Sequence, residues 1–424
     1  MYQEKILKNK AKLILVPIKN RETITVLFLF PVGSRYEQGR LNGISHFIEH
    51  MMFRGTKKRP TPLDITRQLD QIGAQYNAFT GKDQTGYWIK TTNKKMGVAL
   101  DILSEMVFNS LLREEDVEKE KGVIEEEIKM YEENPLLFYD DLFEENFYQN
   151  HPLGQLISGS KENIRKITSL DIKTYWQKFY QPNQMTIVIA GGINLSKAKK
   201  LTESYLSCFS KKGKKNKYLP FPQNKLSPGP RVNILYKNLT QAQIALGGGA
   251  YPYRHPQLEA LVLLMIILGG NMSSRLFREV REKRGLAYSV QARNYCYQDV
   301  GHYLISAGVD KGKIKETLKV ILNELTKIKE KGITDQEFKM AQDYIIGSTK
   351  LNLEDSAHLA NFYGQQALLI GKIRTPREKL QAIKKITKQE VIKVAQNIFQ
   401  NLNLTVIGPF KEKSNLLRIL SKRV

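Results

Sequence analysis

Two short apolar runs, Lys12–Pro17 and Thr23–Phe30, have the length and β-branched content of strands. Residues 232–236 and 242–246 repeat that pair in the second half of the chain. A helical pattern follows each pair, over 43–54 in the first half and over about 256–283 in the second. Strand-like sequence returns at 75–92 and 286–309, and amphipathic helices follow at Met96–Phe108 and 314–328. Both halves end on a helix running into a last strand, 179–191 and 398–408. Helices mixed with largely antiparallel strands, in the same order twice, predict an α+β fold of two homologous domains from an internal duplication. Each domain is expected to be a largely antiparallel sheet packed with helices. The expected division is a domain over 1–208, a Lys/Pro-rich linker over 209–230 and a second domain over 231–424.

The bulk properties fit that division. A chain of 424 residues suits two domains that each bury a core. Its longest apolar run, 260–268, is too short to span a membrane. Cys208 and Cys296 are too few and too far apart for a disulfide framework. Together with an N-terminus lacking an apolar signal core, they lead to the expectation of a cytoplasmic protein. The charge is less ordinary, with 66 basic against 42 acidic residues and a net +24. The lysines are scattered, however, and the one dense run, Lys211 to Lys217, lies among prolines as a solvated linker would. No aromatic residues interleave with basic ones as single-strand binding requires, so specific nucleic-acid binding is not expected. The charge would instead bias which molecules approach.

The candidate chemistry lies in Gly43-Ile-Ser-His46-Phe-Ile-Glu49-His50-Met51. At about 100° per residue, His50 falls about 40° and Glu49 about −60° from His46, so the three share one arc of a helix. Two imidazoles one turn apart can hold one zinc ion, and a carboxylate between them can take a proton from water. The order His-x-x-Glu-His inverts the common zinc-protease string. A catalytic site wants a third protein ligand, and the acidic helix Glu114–Glu133 offers Glu120, Glu125, Glu126 and Glu127. Glu120 and Glu127, close to two turns apart, share a face, whereas Glu125 and Glu126 point toward solvent or a basic neighbour. The second half has no such motif, and its His255, His302 and His358 stand alone.

Further segments carry a family resemblance: Val32-Gly-Ser-Arg-Tyr-Glu37, Phe53-Arg-Gly-Thr56 after the histidines, Asn77-Ala-Phe-Thr80, His151-Pro-Leu-Gly154 and Ser273-Ser-Arg-Leu-Phe277. In this order, over nearly the full length, the chain resembles the pitrilysin, insulysin and mitochondrial processing peptidase family in its short bacterial form. The resemblance implies one Zn2+ per chain held by His46, His50 and Glu127, with Glu49 as general base and Glu120 assisting. Glu126 is the rival ligand if the register slips by one; the helical face favours Glu127. It also implies that Arg281 and Tyr288, seven residues apart, contact bound peptide, with Arg284 as a neighbouring candidate. Tyr288 would further hydrogen-bond the carbonyl oxygen as it gains charge. Asn77, Ala78 and Phe79 would lie on the edge strand to which an extended peptide adds.

The function expected from the resemblance is a zinc metalloendopeptidase acting on peptides or unfolded presequence-like segments. Relatives with four such domains close around a chamber, so a two-domain chain is expected to form a homodimer, or to pair with a related hetero-partner. The alternative is a catalytically silent scaffold or partner subunit. Such subunits lose ligands, base or the Arg/Tyr pair, and all of these residues are present here. Gly247-Gly-Gly249 lacks the Lys-Ser/Thr of a phosphate loop and reads as close backbone packing.

Overall fold

The computed structural model describes residues 2–209, 213–226 and 229–421. Lys211, Lys212 and Pro228 of the expected linker lie outside them. Two compact units result. The first comprises Met1–Lys129, Gln155–Leu219 and Lys350–Thr375; the second comprises Met130–Gly154, Pro220–Thr349 and Pro376–Val424. The chain passes from one to the other at Leu219/Pro220, inside the expected linker, but 130–154 and 350–375 each belong to the unit opposite their sequence half.

The first unit is built on a six-stranded sheet. Its strands are β1 (Gln3–Ile6), β2 (Lys12–Pro17), β3 (Thr23–Phe30), β4 (Gln75–Thr80), β5 (Thr85–Thr92) and β6 (Thr186–Gly191), in the order β1-β2-β6-β3-β5-β4. All neighbours are antiparallel except β2 and β6. The second unit has β7 (Arg231–Tyr236), β8 (Gln241–Ala250), β9 (Ala287–Cys296), β10 (Gly301–Asp310) and β11 (Asn403–Gly408), ordered β7-β11-β8-β10-β9. Here β7 and β11 are the parallel pair. Without β1 the two sheets have one topology, so the repeat seen in the sequence is a repeat of fold. The edge strand β4 corresponds to the edge strand β9.

Side chains along β3 leave alternately on opposite faces. Ile24, Val26, Phe28 and Phe30 enter the main core of the first unit, while Leu27 and Leu29 enter a second cluster with Leu359, Ala360 and Tyr363. Helix Ser356–Gln365 covers that second face, which is why β3 reads as a continuous apolar run in a largely antiparallel sheet. A Cβ on its Gly364 would lie 2.5 Å from Leu29 Cδ1, so glycine permits the close approach.

One expectation needs correction. The helix expected over about 256–283 is not continuous. Leu258–Met265 is α-helical, the following turn widens, and Gly269 leaves helical geometry at φ −160° and ψ 19°. Helix resumes before the segment Phe277–Glu282, which again has wide turns. A Cβ at Gly269 would sit 2.6 Å from Ala292 N of β9, so the backbone crosses too close to the sheet for a regular helix with side chains. Gly247 is likewise a packing glycine, its absent Cβ falling 2.0 Å from Tyr303 O. Among the described residues no helix is long and apolar enough to cross a membrane.

Candidate metal centre

Helix α1 (Ile44–Met51) is short and is held by its start. Gly43, at φ 101°, enters it in the left-handed region, where a Cβ would also meet Ser158 O at 2.6 Å. The first amides of a helix lack intrahelical partners. Glu37 supplies them: its carboxylate accepts from Gly43 N (2.7 Å), Ser45 N (2.8 Å) and Asn42 Nδ2 (3.0 Å). Burial pushes the Glu37 carboxyl up to about 7, against the opposing pull of the Gly43 and Ser45 hydrogen bonds. Ile44, Phe47, Ile48 and Met51 bury one face of α1 in the core, which leaves His46, Glu49 and His50 on the other.

The partner helix follows α2 (Pro62–Gln71) and α3 (Met96–Phe108): it is α4 (Glu114–Glu133), anchored by Val117, Ile124 and Ile128. Glu120 on α4 is 3% exposed. Its Oε1 lies 2.8 Å from His50 Nδ1, and its Oε2 is in ion-pair contact with Arg54. About two turns further along the same face, Glu127 Oε2 lies 3.3 Å from His50 Nε2 and 3.6 Å from His46 Nε2. Glu125 turns away to Arg165, at 2.7 Å, and Glu126 is 77% exposed beside Lys129.

His46, His50 and Glu127 form the one such cluster among the described residues, with ligand atoms all within 4.8 Å of one another. A tetrahedral ion with bonds of about 2.0–2.1 Å separates its donors by roughly 3.4 Å. The two distances to Glu127 bracket that value. Two imidazoles and one carboxylate are a donor set that suits zinc and leaves a fourth position open. The two imidazoles are shifted in opposite directions. Burial and the neighbouring His50 push His46 down to about 4, so it stays neutral and able to donate a lone pair. Burial would also depress His50, but its contacts with Glu120 and Glu127 outweigh this and raise it to about 9.

Glu49 faces β4. Thr80 Oγ1, at the end of that strand, donates to Glu49 Oε2 at 2.6 Å. Burial raises the Glu49 carboxyl, and the Thr80 bond and the charge of His50 oppose the rise. Asn77, Ala78 and Phe79 precede Thr80 on β4, which is an edge strand of the sheet and, among the described residues, pairs with β5 alone. Asn77 Oδ1 accepts the Ala78 amide at 2.9 Å.

In the second unit, Tyr288 is 76% exposed and its ring lies 4.9 Å from the Arg281 guanidinium, which also stacks 4.8 Å from Phe277. Arg281 lines a cavity of about 590 Å3 beside β9. Arg284 instead pairs with Glu279 at 2.7 Å, which separates the two candidate arginines. Sequence reasoning did not single out Glu37, Arg54 or Thr80 for a role at the centre. Each lies inside a segment that carries the family resemblance, and that was the available signal.

Fold and cluster together define a protein of two repeated α+β units, one carrying an inverted His-x-x-Glu-His whose two histidines, with Glu127, could hold a metal ion. Residues 13–161 match the family described as insulinase (peptidase family M16), and residues 166–345 match the peptidase M16 inactive domain. An uncharacterized zinc protease of Streptomyces coelicolor is 34% identical over 389 residues, covering 90% of this chain and 84% of that protein. An uncharacterized zinc protease of Bacillus subtilis is 33% identical over 403 residues, covering 95% and 97%. A protease from Helicobacter pylori superposes with a TM-score of 0.89 at 25% identity, over 96% of this chain and 99% of that one. A peptidase M16 inactive domain from Pseudomonas fluorescens shares the fold, at a TM-score of 0.89 and 19% identity over 97% and 98%. The chain belongs to peptidase family M16, the insulinase family.

Proposed function

We propose that this chain is a zinc metalloendopeptidase that hydrolyses peptides or unfolded, presequence-like segments. The observation that carries the reading is the convergence of His46 Nε2, His50 Nε2 and Glu127 Oε2, with Glu49 on the same arc of α1. When bound there, zinc would polarise the scissile carbonyl and make a water easier to deprotonate. Glu49 takes the proton of the attacking water and passes it to the leaving amine. Glu120 keeps the Nδ1 proton of His50 in place, so that Nε2 presents its lone pair. An extended peptide adds to the outer edge of β4 along Asn77, Ala78 and Phe79. Arg281 binds its backbone, and Tyr288 stabilises the carbonyl oxygen as it gains charge.

The match of residues 166–345 to an inactive domain concerns the half in which, among the described residues, no such cluster is found, and it is compatible with catalysis in the other half. The working form we infer is a homodimer, with a related hetero-partner as the alternative, in a reducing cytoplasm that suits two free cysteines. The test is cleavage of a quenched-fluorescent peptide by zinc-loaded protein beside Glu49→Gln at matched metal content. Cleavage by the first and none by the second is expected. Equal rates would overturn the role of Glu49, and zinc-bound protein that cuts nothing in a broad peptide mixture would favour the scaffold reading.

A further inference from the structure

Glu49 has two carboxylate oxygens, and the fold has already engaged one of them. Thr80 Oγ1 donates to Oε2 at 2.6 Å, a short charge-assisted bond between residues 31 positions apart. A glutamate left to itself samples several rotamers, and a base that must receive and then return a proton works only in the few that reach both water and leaving group. A hydroxyl fixed on a strand removes that freedom.

Thr80 is itself well held. It ends β4 and pairs with Thr85 across the hairpin. The turn after it is fastened to residues 33–35: Ser34 N donates to Gly81 O and Arg35 N to Lys82 O, both at 3.1 Å. Arg35, 1% exposed, pairs with Asp83 at 3.3 Å. Gly33 allows this contact, since a Cβ there would lie 2.0 Å from Gly81 O. Two residues beyond Arg35, Glu37 holds the start of α1. The stretch 33–37 therefore grips both the helix of Glu49 and the strand of Thr80, and sets the distance between them.

Resting on the peptidase reading above, we propose that Thr80 is the positioning residue of the general base: it fixes Glu49 Oε2 and leaves Oε1 as the oxygen that receives and returns the proton. Because Thr80 directly follows Asn77–Phe79 on the edge strand, a peptide added there is in register with the base that acts on it. Thr80 thus links substrate alignment to proton transfer without touching the reacting atoms.

The experiment compares zinc-loaded wild type, Thr80→Val, Thr80→Ser and Glu49→Gln on one fluorogenic peptide, reading kcat, KM and bound zinc. Valine keeps the shape and strand preference of threonine and lacks the hydroxyl. The expected result for Thr80→Val is a kcat lower by roughly 10- to 100-fold, with KM and zinc content unchanged, and recovery of most of the loss in Thr80→Ser. Wild-type kcat in Thr80→Val overturns the proposal. So does a loss confined to KM or zinc, or a serine variant as impaired as valine, which would make the effect one of packing. A Glu49→Gln variant that cuts at the wild-type rate would instead refute the base assignment itself. If wild type cuts no peptide, a crystal structure of zinc-loaded Thr80→Val decides the point without turnover: a Glu49 side chain still in the wild-type rotamer overturns the proposal, and a displaced one supports it.

Discussion

His50 is pinned by Glu120 through the ring nitrogen that faces away from the metal-ligand cluster, with Nδ1 2.8 Å from Glu120 Oε1. The ion pair with Arg54 occupies the second oxygen of that carboxylate, so both ends of a buried acid are engaged. A carboxylate in this position sets the histidine tautomer and raises its basicity as a ligand. Glu120→Gln keeps the shape and loses the charge, and is expected to weaken zinc binding by roughly 10- to 100-fold. Chelator competition measures this directly and needs no substrate. Unchanged zinc affinity would mean that the Glu120 contact is structural only.

The proposed third ligand has a similarly sharp test. Glu127 lies within reach of both histidines, whereas Glu126 is exposed beside Lys129. Glu127→Gln is expected to abolish zinc retention through gel filtration, and Glu126→Gln to retain one zinc per chain. The reverse pattern would shift the register of α4 by one residue.

Arg281 and Tyr288 divide binding from chemistry in the proposed mechanism. Tyr288→Phe keeps the ring beside the guanidinium and removes only the hydroxyl. If that hydroxyl stabilises developing negative charge, kcat falls by about 100-fold or more while KM holds. Arg281→Ala is expected to act mainly on KM. Steady-state kinetics on one peptide separates the two, and equal KM effects in both variants would reduce Tyr288 to a binding residue.

How much of this was legible depended on range along the chain. Thr23–Phe30, Met96–Phe108 and Glu114–Glu133 are strand or helix over the residues expected, because period and composition are local. The shared arc of His46, Glu49 and His50 followed from helical geometry alone. The break at Gly269 did not, since it answers to the backbone of Ala292 on a strand still to come. The helix that covers Leu27 and Leu29 arrives from beyond residue 350, so the second apolar face of β3 had no visible partner. Thr80 resembled an ordinary strand residue; only the pairing of β4 beside β5 brings its hydroxyl to Glu49. Local pattern identifies the elements, and topology decides which side chains meet.

The cap on α1 makes its stability depend on pH. Glu37 is fully buried, and its carboxyl is raised from 4.5 to about 7, chiefly by desolvation. Between those values the folded state binds more protons than the unfolded state. Its stabilising contribution is therefore complete below pH 4.5 and is lost as pH rises through about 7, at which point the buried group must ionise. At about 1.4 kcal/mol per pH unit the window amounts to roughly 3 kcal/mol. Two units do not guarantee two-state unfolding, so a local probe suits better than a global melt. Hydrogen exchange of the α1 amides, corrected for intrinsic rates, is expected to lose protection between pH 5 and about 7.5. Glu37→Gln removes the titration and should flatten that slope, although its amide cannot replace both acceptors at Gly43 and Ser45 and protection should be lower overall. Protection that rises with pH in the wild type would mean that the three N–H donors outweigh desolvation and hold Glu37 ionised.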